Sequence, residues 1–287
     1  MIHWFLDPFQ SGFAQRAAVV CVMVGLLSPV VGTWVSLRRL AYMGDAMSHS
    51  LLGGVALGFA WFGTAAVLPG ALVAGVLMAL VIHWLSQNRR VAHDSVIAIV
   101  GSGMFALGVI LLGRVDTSVS LSHFLFGQLL TVGTGDTVIT SVLTVAALGF
   151  VWWRFADLRI ATFDRDHALQ VGVRVQRLDA SMLVLLAVCV VVCLSTVGTA
   201  LTVSLLITPS ATARLFHDRI GAITRTAVVL ALTEINLGFI VAYHADLPPG
   251  PVITVVTTVV FVMAYIVRFG RSERTYVRHV HEHDHAH

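Results

Sequence analysis

The sequence predicts an all-α transmembrane protein: a polytopic helical bundle of about nine segments, or eight if one short proline-interrupted run is discounted. Three observations predict it. Of the 287 residues, 57% are hydrophobic and only 11% charged, against about 25% charged in soluble domains, and the mean hydropathy is +0.88. The apolar residues fall in runs of roughly 17–25, the length that crosses about 30 Å of hydrocarbon as a helix. The two-residue alternation of a β-barrel is missing, which leaves the α-helix as the form that satisfies its backbone in lipid.

The runs follow in order. The first extends from about Phe13 to Leu37 and stops at Arg38-Arg39. The second, about Tyr42 to Phe62, carries Asp45, His49 and several glycines. The third covers about Thr64 to Leu85 and the fourth about Ser95 to Leu112. A polar stretch from Arg114 to Gly135 leads to the fifth, about Asp136 to Trp153. A long hydrophilic loop, Arg154 to Arg177, precedes the sixth, about Ala180 to Val197. The seventh, about Thr199 to Leu215, is short, rich in Thr and Ser, and broken at Pro209. Irregular helix of this kind is tolerated at membrane depth where it is buried in protein or lines a cavity. The eighth covers about Thr226 to Tyr243, the ninth about Pro251 to Val267, and a charged tail ends the chain.

All 18 basic residues are arginine. Without lysine there is no Gly-Lys-Ser/Thr phosphate loop, so ATP hydrolysis is not expected here. With nine segments the arginines other than Arg16 and Arg114 gather on one side: Arg38-Arg39, Arg89-Arg90, the 154–177 loop, Arg214, Arg219, Arg225 and the tail. The positive-inside rule makes that side, and the C-terminus, cytoplasmic. The basic pI of about 9.1 thus reflects a membrane rim and not a nucleic-acid surface. Cys21, Cys189 and Cys193 all lie in apolar runs and read as packing thiols. No cleavable signal peptide is expected, because an arginine pair follows the first long run instead of a small-residue cleavage site.

The chemistry concentrates in VGTWVSLRRLAYMGDAMSHSLLGGVALG, residues 31–58. Asp45 and His49 are four apart and share a helix face, with Ser48 adjacent. Ionisable groups inside a span are costly and tend to mark ion routes. A plain interfacial Asp with an incidental His is the competing explanation.

At this point RRLAYMGDAMSHSLLGGVALG resembles the signature of permeases in the manganese/zinc/iron branch of ABC importers. Three more stretches resemble that family in the same order: SHFLFGQLL (residues 122–130), DRDHALQVGV (164–173) and LLITPSATARLF (205–216), the last through Pro209, Ala211, Thr212, Ala213 and Arg214. The resemblance implies a type II ABC importer permease fold over about residues 13–268, and it favours nine segments. It implies that the segment around 164–176, with Asp164, Asp166, Ala168 and Gly172, couples to a separate cytoplasmic ATPase. Asp45 and His49 would receive or gate the metal between two permease copies. Doubled across a two-fold axis, they would give two oxygens and two nitrogens, which suits zinc well and manganese acceptably.

Other polar groups are weaker candidates. Glu234 sits within the eighth span, a departure from the family pattern. His244 and Asp246 precede Leu247-Pro248-Pro249-Gly250 on the outer side. The tail RHVHEHDHAH places His279, His281, His283, His285 and His287 at alternate positions, a flexible imidazole array if the chain is extended, and imidazole prefers zinc over manganese. Residues 281–285 satisfy H-E-x-x-H, but a terminal polar tail supplies no buried helix for protease chemistry.

The expectation is therefore a permease domain at residues 1–270 and a His-rich tail at 271–287, in a bacterial plasma membrane. The chain would pair as a homodimer with ATPase subunits and an extracytoplasmic metal-binding protein. It would hold no permanent cofactor, only transported Zn2+, or Mn2+ or Fe2+. An ion-gradient-driven secondary metal transporter is the rival, but it calls for paired mid-membrane acids and inverted repeats. A membrane metal sensor leaves DRDHALQVGV without a role.

Overall fold

A computed structural model describes residues 12–63, 66–87, 90–113 and 133–284. The described residues form twelve helices and no strand. They are α1 (Gly12–Leu37), α2 (Ala41–Ser50), α3 (Leu52–Phe62), α4 (Val67–Leu85), α5 (His93–Leu112) and α6 (Thr134–Trp153). Then come α7 (Phe155–Phe163), α8 (Arg165–Gln170), α9 (Val175–Val197), α10 (Thr199–Arg214), α11 (Ile220–Ala245) and α12 (Pro249–Asp284). Seven of these are long and apolar enough to cross a membrane: α1, α4, α5, α6, α9, α11 and α12. The second expected span is the pair α2–α3, and the short seventh is α10. Together these give nine segments.

The second span divides into two consecutive helices where a single helix was expected. Its two halves meet at Leu51, whose φ is −64° and ψ −16°. The backbone ladder continues through the junction, with Leu51 N–H to Met47 O and Val55 N–H to Leu51 O both at 3.1 Å. No proline stands there. The Ser50 hydroxyl bonds back to Ala46 O at 2.5 Å and reaches across to Gly101 O on α5 at 2.9 Å. The second contact ties α2 to α5.

α1 and α9 form the centre. In each, most of the apolar window is buried inside the chain, whereas α5, α6 and α12 bury little of theirs. α1 packs against α6, α9, α10 and α11, and α9 also packs against α4. The outer helices present Val, Ile, Leu and Phe outward, as Val142, Val145, Val255 and Ile266 do. Such a surface fits lipid, since lipid tails are as apolar as these side chains.

The closest helix approach is α1 on α10. A Cβ added to Gly32 would overlap the Leu206 carbonyl oxygen, so only glycine lets these backbones meet. α10 holds Pro209 inside it. Its hydroxyls turn back onto its own backbone, Thr202 to Gly198 O at 2.6 Å and Thr212 to Thr208 O at 2.8 Å. This keeps polar groups satisfied away from water.

The tail differs from the extended array expected. Backbone helix α12 continues to Asp284, so His279, His281 and His283 lie at helical, not strand-like, spacing. His285 and His287 fall outside the described residues, as do Arg114, His123 and the stretch 122–130.

Candidate functional site

α2 carries the site. Its inner face is anchored by Met43 and Met47, both fully buried. On its outer face Asp45 and His49 lie one turn apart, with His49 Nε2 3.8 Å from Asp45 Oδ1. That is too long for a hydrogen bond. Both side chains are about half exposed, 49% for Asp45 and 52% for His49. Among the described residues neither carboxylate nor imidazole has a strong internal partner, which leaves both open to a ligand.

Ser48 does not join them. It is buried at 1%, and its hydroxyl donates to Asp45 O at 2.7 Å. The same helix geometry that aligns positions four apart turns position 48 towards the packed side. Among the described residues no three of His, Cys, Asp and Glu come together as a metal site. One chain thus offers a carboxylate and an imidazole on this face, fewer than the four ligands zinc takes or the six an octahedral ion takes.

The arginine-rich end is built differently. Arg38, just past α1, donates from Nη1 to Asp179 Oδ1 at 2.8 Å and from Nε to Thr162 Oγ1 at 3.0 Å. Arg165, opening α8, reaches the other Asp179 oxygen at 3.0 Å. Burial pulls the Arg38 pKa below its ordinary value, and the Asp179 carboxylate opposes that shift. Arg214 closes α10 by bonding Ser36 at both its carbonyl and its hydroxyl, at 3.3 and 3.1 Å. So α1, α7, α8, α9 and α10 are tied together at one end. Sequence reasoning missed this network. The only hint was an Asp two residues past Arg177, at the start of an apolar run.

Within it lies the segment expected to couple to an ATPase. Asp164 is the N-cap of α8, its carboxylate accepting the His167 N–H at 2.9 Å. Gly172 ends the helix with φ +82°. Val173 N–H bonds Ala168 O at 2.9 Å and Gly172 N–H bonds Leu169 O at 3.2 Å. That pattern is a Schellman cap, in which glycine takes the left-handed position. Ala168 is fully buried, while Phe163, Leu169 and Val171 stand more than half exposed. Asp166 is exposed in the first turn of α8.

The remaining candidates separate from the α2 pair. Glu234 is enclosed in α11 at 1% exposure, and neither carboxyl oxygen has a hydrogen-bond partner among the described residues. It therefore faces the interior of the chain, not an open surface. Asp246 caps α11 in the left-handed region, φ +54°, with Leu247 N–H bonding Ala242 O at 3.0 Å. Asp is among the residues that tolerate this conformation, which gives Asp246 a structural role. The His244 ring packs edge-on against Tyr243, with centroids 5.4 Å apart. Both residues lie at the end of α11 opposite Arg219 and Arg225. Cys21, Cys189 and Cys193 are buried free thiols, and the Cys193 sulfur lies 3.1 Å from Ser28 Oγ.

Comparison with known proteins agrees with this frame. The sequence model of the ABC 3 transport family matches residues 10–268. The manganese transport system membrane protein MntB of Synechocystis is 34% identical over 264 residues, covering 92% of this chain and 86% of its own. The chelated iron transport system membrane protein YfeD of Yersinia pestis is 34% identical over 260 residues, covering 91% and 87%. The solved structure of PsaBC from Streptococcus pneumoniae in complex with Fab superposes with a TM-score of 0.82 at 33% identity, covering 92% of this chain and 95% of that one. The chain belongs to the ABC 3 transport family, as a membrane permease subunit of a metal ABC importer.

Proposed function

We propose that two copies of this chain form the membrane path of an importer for a divalent transition metal. Separate ATPase subunits drive it, and an extracytoplasmic binding protein feeds it. The observation that carries this reading is the Asp45–His49 pair. Two metal-ligating side chains stand half exposed on the outside of an otherwise apolar bundle. Leaving them against lipid is costly. A second copy facing the first would cover them and double the ligand set.

The arginine-rich end is the cytoplasmic one in this reading. There α8 offers a capped, rigid helix with Phe163, Leu169 and Val171 uncovered beside it. Exposed apolar groups rimmed by charge suit a protein contact, and an ATPase groove is the partner expected. The chain itself makes and breaks no covalent bond.

The relatives named carry manganese or iron, so these ions are the first cargo to test. A carboxylate is a hard ligand suited to manganese, and imidazole suits iron and zinc as well. A preference for zinc over these ions leans on the His-rich tail.

ATP-dependent uptake of manganese, iron and zinc in vesicles tests the proposal, with permease, ATPase and binding protein together. Uptake should disappear in Asp45→Asn and His49→Ala while the complex still assembles. Undiminished uptake in both variants would remove α2 from the path.

A further inference from the structure

The arginine-rich end also encloses a cavity of about 660 Å³ that the α2 pair does not touch. That volume lies within the roughly 300–1,000 Å³ of ordinary ligand pockets. It opens between the ends of α1, α4 and α7 and the starts of α5, α8 and α9. Its chemistry is strongly basic. Arg38, Arg39 and Arg165 line it, His83 and His93 add imidazoles, and Asp179 is the one carboxylate among its described lining residues.

Asp179 is already saturated, one oxygen on Arg38 and the other on Arg165. Three guanidinium groups against one carboxylate leave two positive charges without a lining counter-charge. Arg38 has a further terminal nitrogen, Nη2, buried and without a hydrogen-bond partner among the described residues. Arg39 adds an independent sign. It ends α1 in a Schellman turn, with Leu40 N–H on Val35 O at 2.9 Å and φ of +59°. Glycine normally occupies that position. An arginine held there keeps a charged side chain at the cavity mouth at the expense of backbone strain, a pattern that clusters at functional sites.

The depth of the cavity narrows the ligand. Trp84 at the end of α4 and Trp152 and Trp153 at the end of α6 are the most exposed large hydrophobic side chains among the described residues. Tryptophan marks the membrane–water interface. Basic pockets between transmembrane helices at that level bind acidic head groups, and arginine forks match phosphate oxygens two at a time.

We propose that this cavity binds a phosphate-bearing anion, supplied either by the head group of an acidic phospholipid or by free phosphate, with Arg39 and Arg165 as its ligands. The anion neutralises the surplus charge between α1, α4 and α8, and so holds the coupling end together. This inference stands apart from the metal path and from the identity of the cargo.

The test uses the full-length chain, stripped of lipid in a non-ionic detergent. Equilibrium binding and melting temperature are read against short-chain phosphatidylglycerol, short-chain phosphatidylcholine and inorganic phosphate. Arg39→Gly is the informative variant, because glycine suits the backbone angle and removes only the side chain; Arg39→Asn is its companion. Arg225→Gln, at a guanidinium that bonds its own helix at Gly221 O, controls for net charge. Phosphatidylglycerol should bind, raise the melting temperature and lose at least tenfold in affinity in both Arg39 variants but not in Arg225→Gln. Inorganic phosphate that competes with the lipid, or binds where the lipid does not, supports the site and identifies a soluble source. Lipid binding that phosphate does not displace identifies the head group. The proposal is overturned if neither probe binds, if phosphatidylcholine binds as tightly as phosphatidylglycerol, or if Arg225→Gln weakens binding as much as Arg39→Gly.

Discussion

Two aspartates mark the contrast between the halves of this molecule. Asp179 has both oxygens held by guanidinium groups at 2.8 and 3.0 Å and is 24% exposed. Asp45 has a single imidazole at 3.8 Å and is 49% exposed. The first carboxylate is finished by its own chain and the second is not. An ionisable group in an apolar chain therefore cannot be assigned by type or depth. What separates structure from function here is whether its hydrogen-bonding capacity is already used.

The largest expected effect comes from breaking the finished one. Asp179→Asn leaves Arg38, whose side chain is only 12% exposed, facing Arg165 without a counter-charge. Removing one partner of a fully buried pair costs about 3–5 kcal/mol; this pair is part-buried, so the loss should be smaller and the purified variant should melt several degrees below the wild type. A melt shifted by a degree or less would show that the network is replaceable.

Asp45→Asn should do the reverse. Folding should change by less than about 1 kcal/mol, as for other exposed pairs. Metal affinity should fall beyond the roughly 10–100-fold seen when merely supporting groups are removed, read by direct ion binding to the assembled complex. If stability and affinity fell together, the distinction between the two aspartates would be lost.

Smaller effects sharpen the picture at α8. Gly172→Ala places a β-carbon at φ +82°, costing about 1–2 kcal/mol. Nothing lies within 4 Å to clash with it, so backbone strain is the whole cause. Hydrogen exchange at 165–173 should quicken while the apolar core stays protected. Asp164→Ala removes the N-cap and should cost about 1 kcal/mol, quickening exchange at the His167 amide first. Both should weaken ATP-driven uptake more than they weaken metal binding, if α8 is the coupling element.

Much of this was legible beforehand. Run length and composition specified the spans, because lipid leaves the backbone few options. Spacing of four aligned Asp45 with His49, because an isolated helix face is a local property. What could not be read is what depends on distance along the chain. Arg38 and Asp179 are 141 residues apart, and no pattern links them. Ser48 looked like a third member through adjacency, yet one residue on a helix is a large rotation. Glu234 stood out as a mid-span acid, and only the packing of α11 shows that it is enclosed. The Ser50 contact to Gly101 O on α5 joins positions 51 residues apart, a contact absent from the local sequence.

The meeting of Gly32 with the Leu206 carbonyl has a mechanical consequence. With no side chain between them, α1 and α10 have no layer in which to slide. Arg214 pins the same two elements again at Ser36. Two separate contacts therefore hold α1 and α10 together. The first helix of the second span packs against α10 on one side and α5 on the other, so it joins this close-set pair to the outer helices.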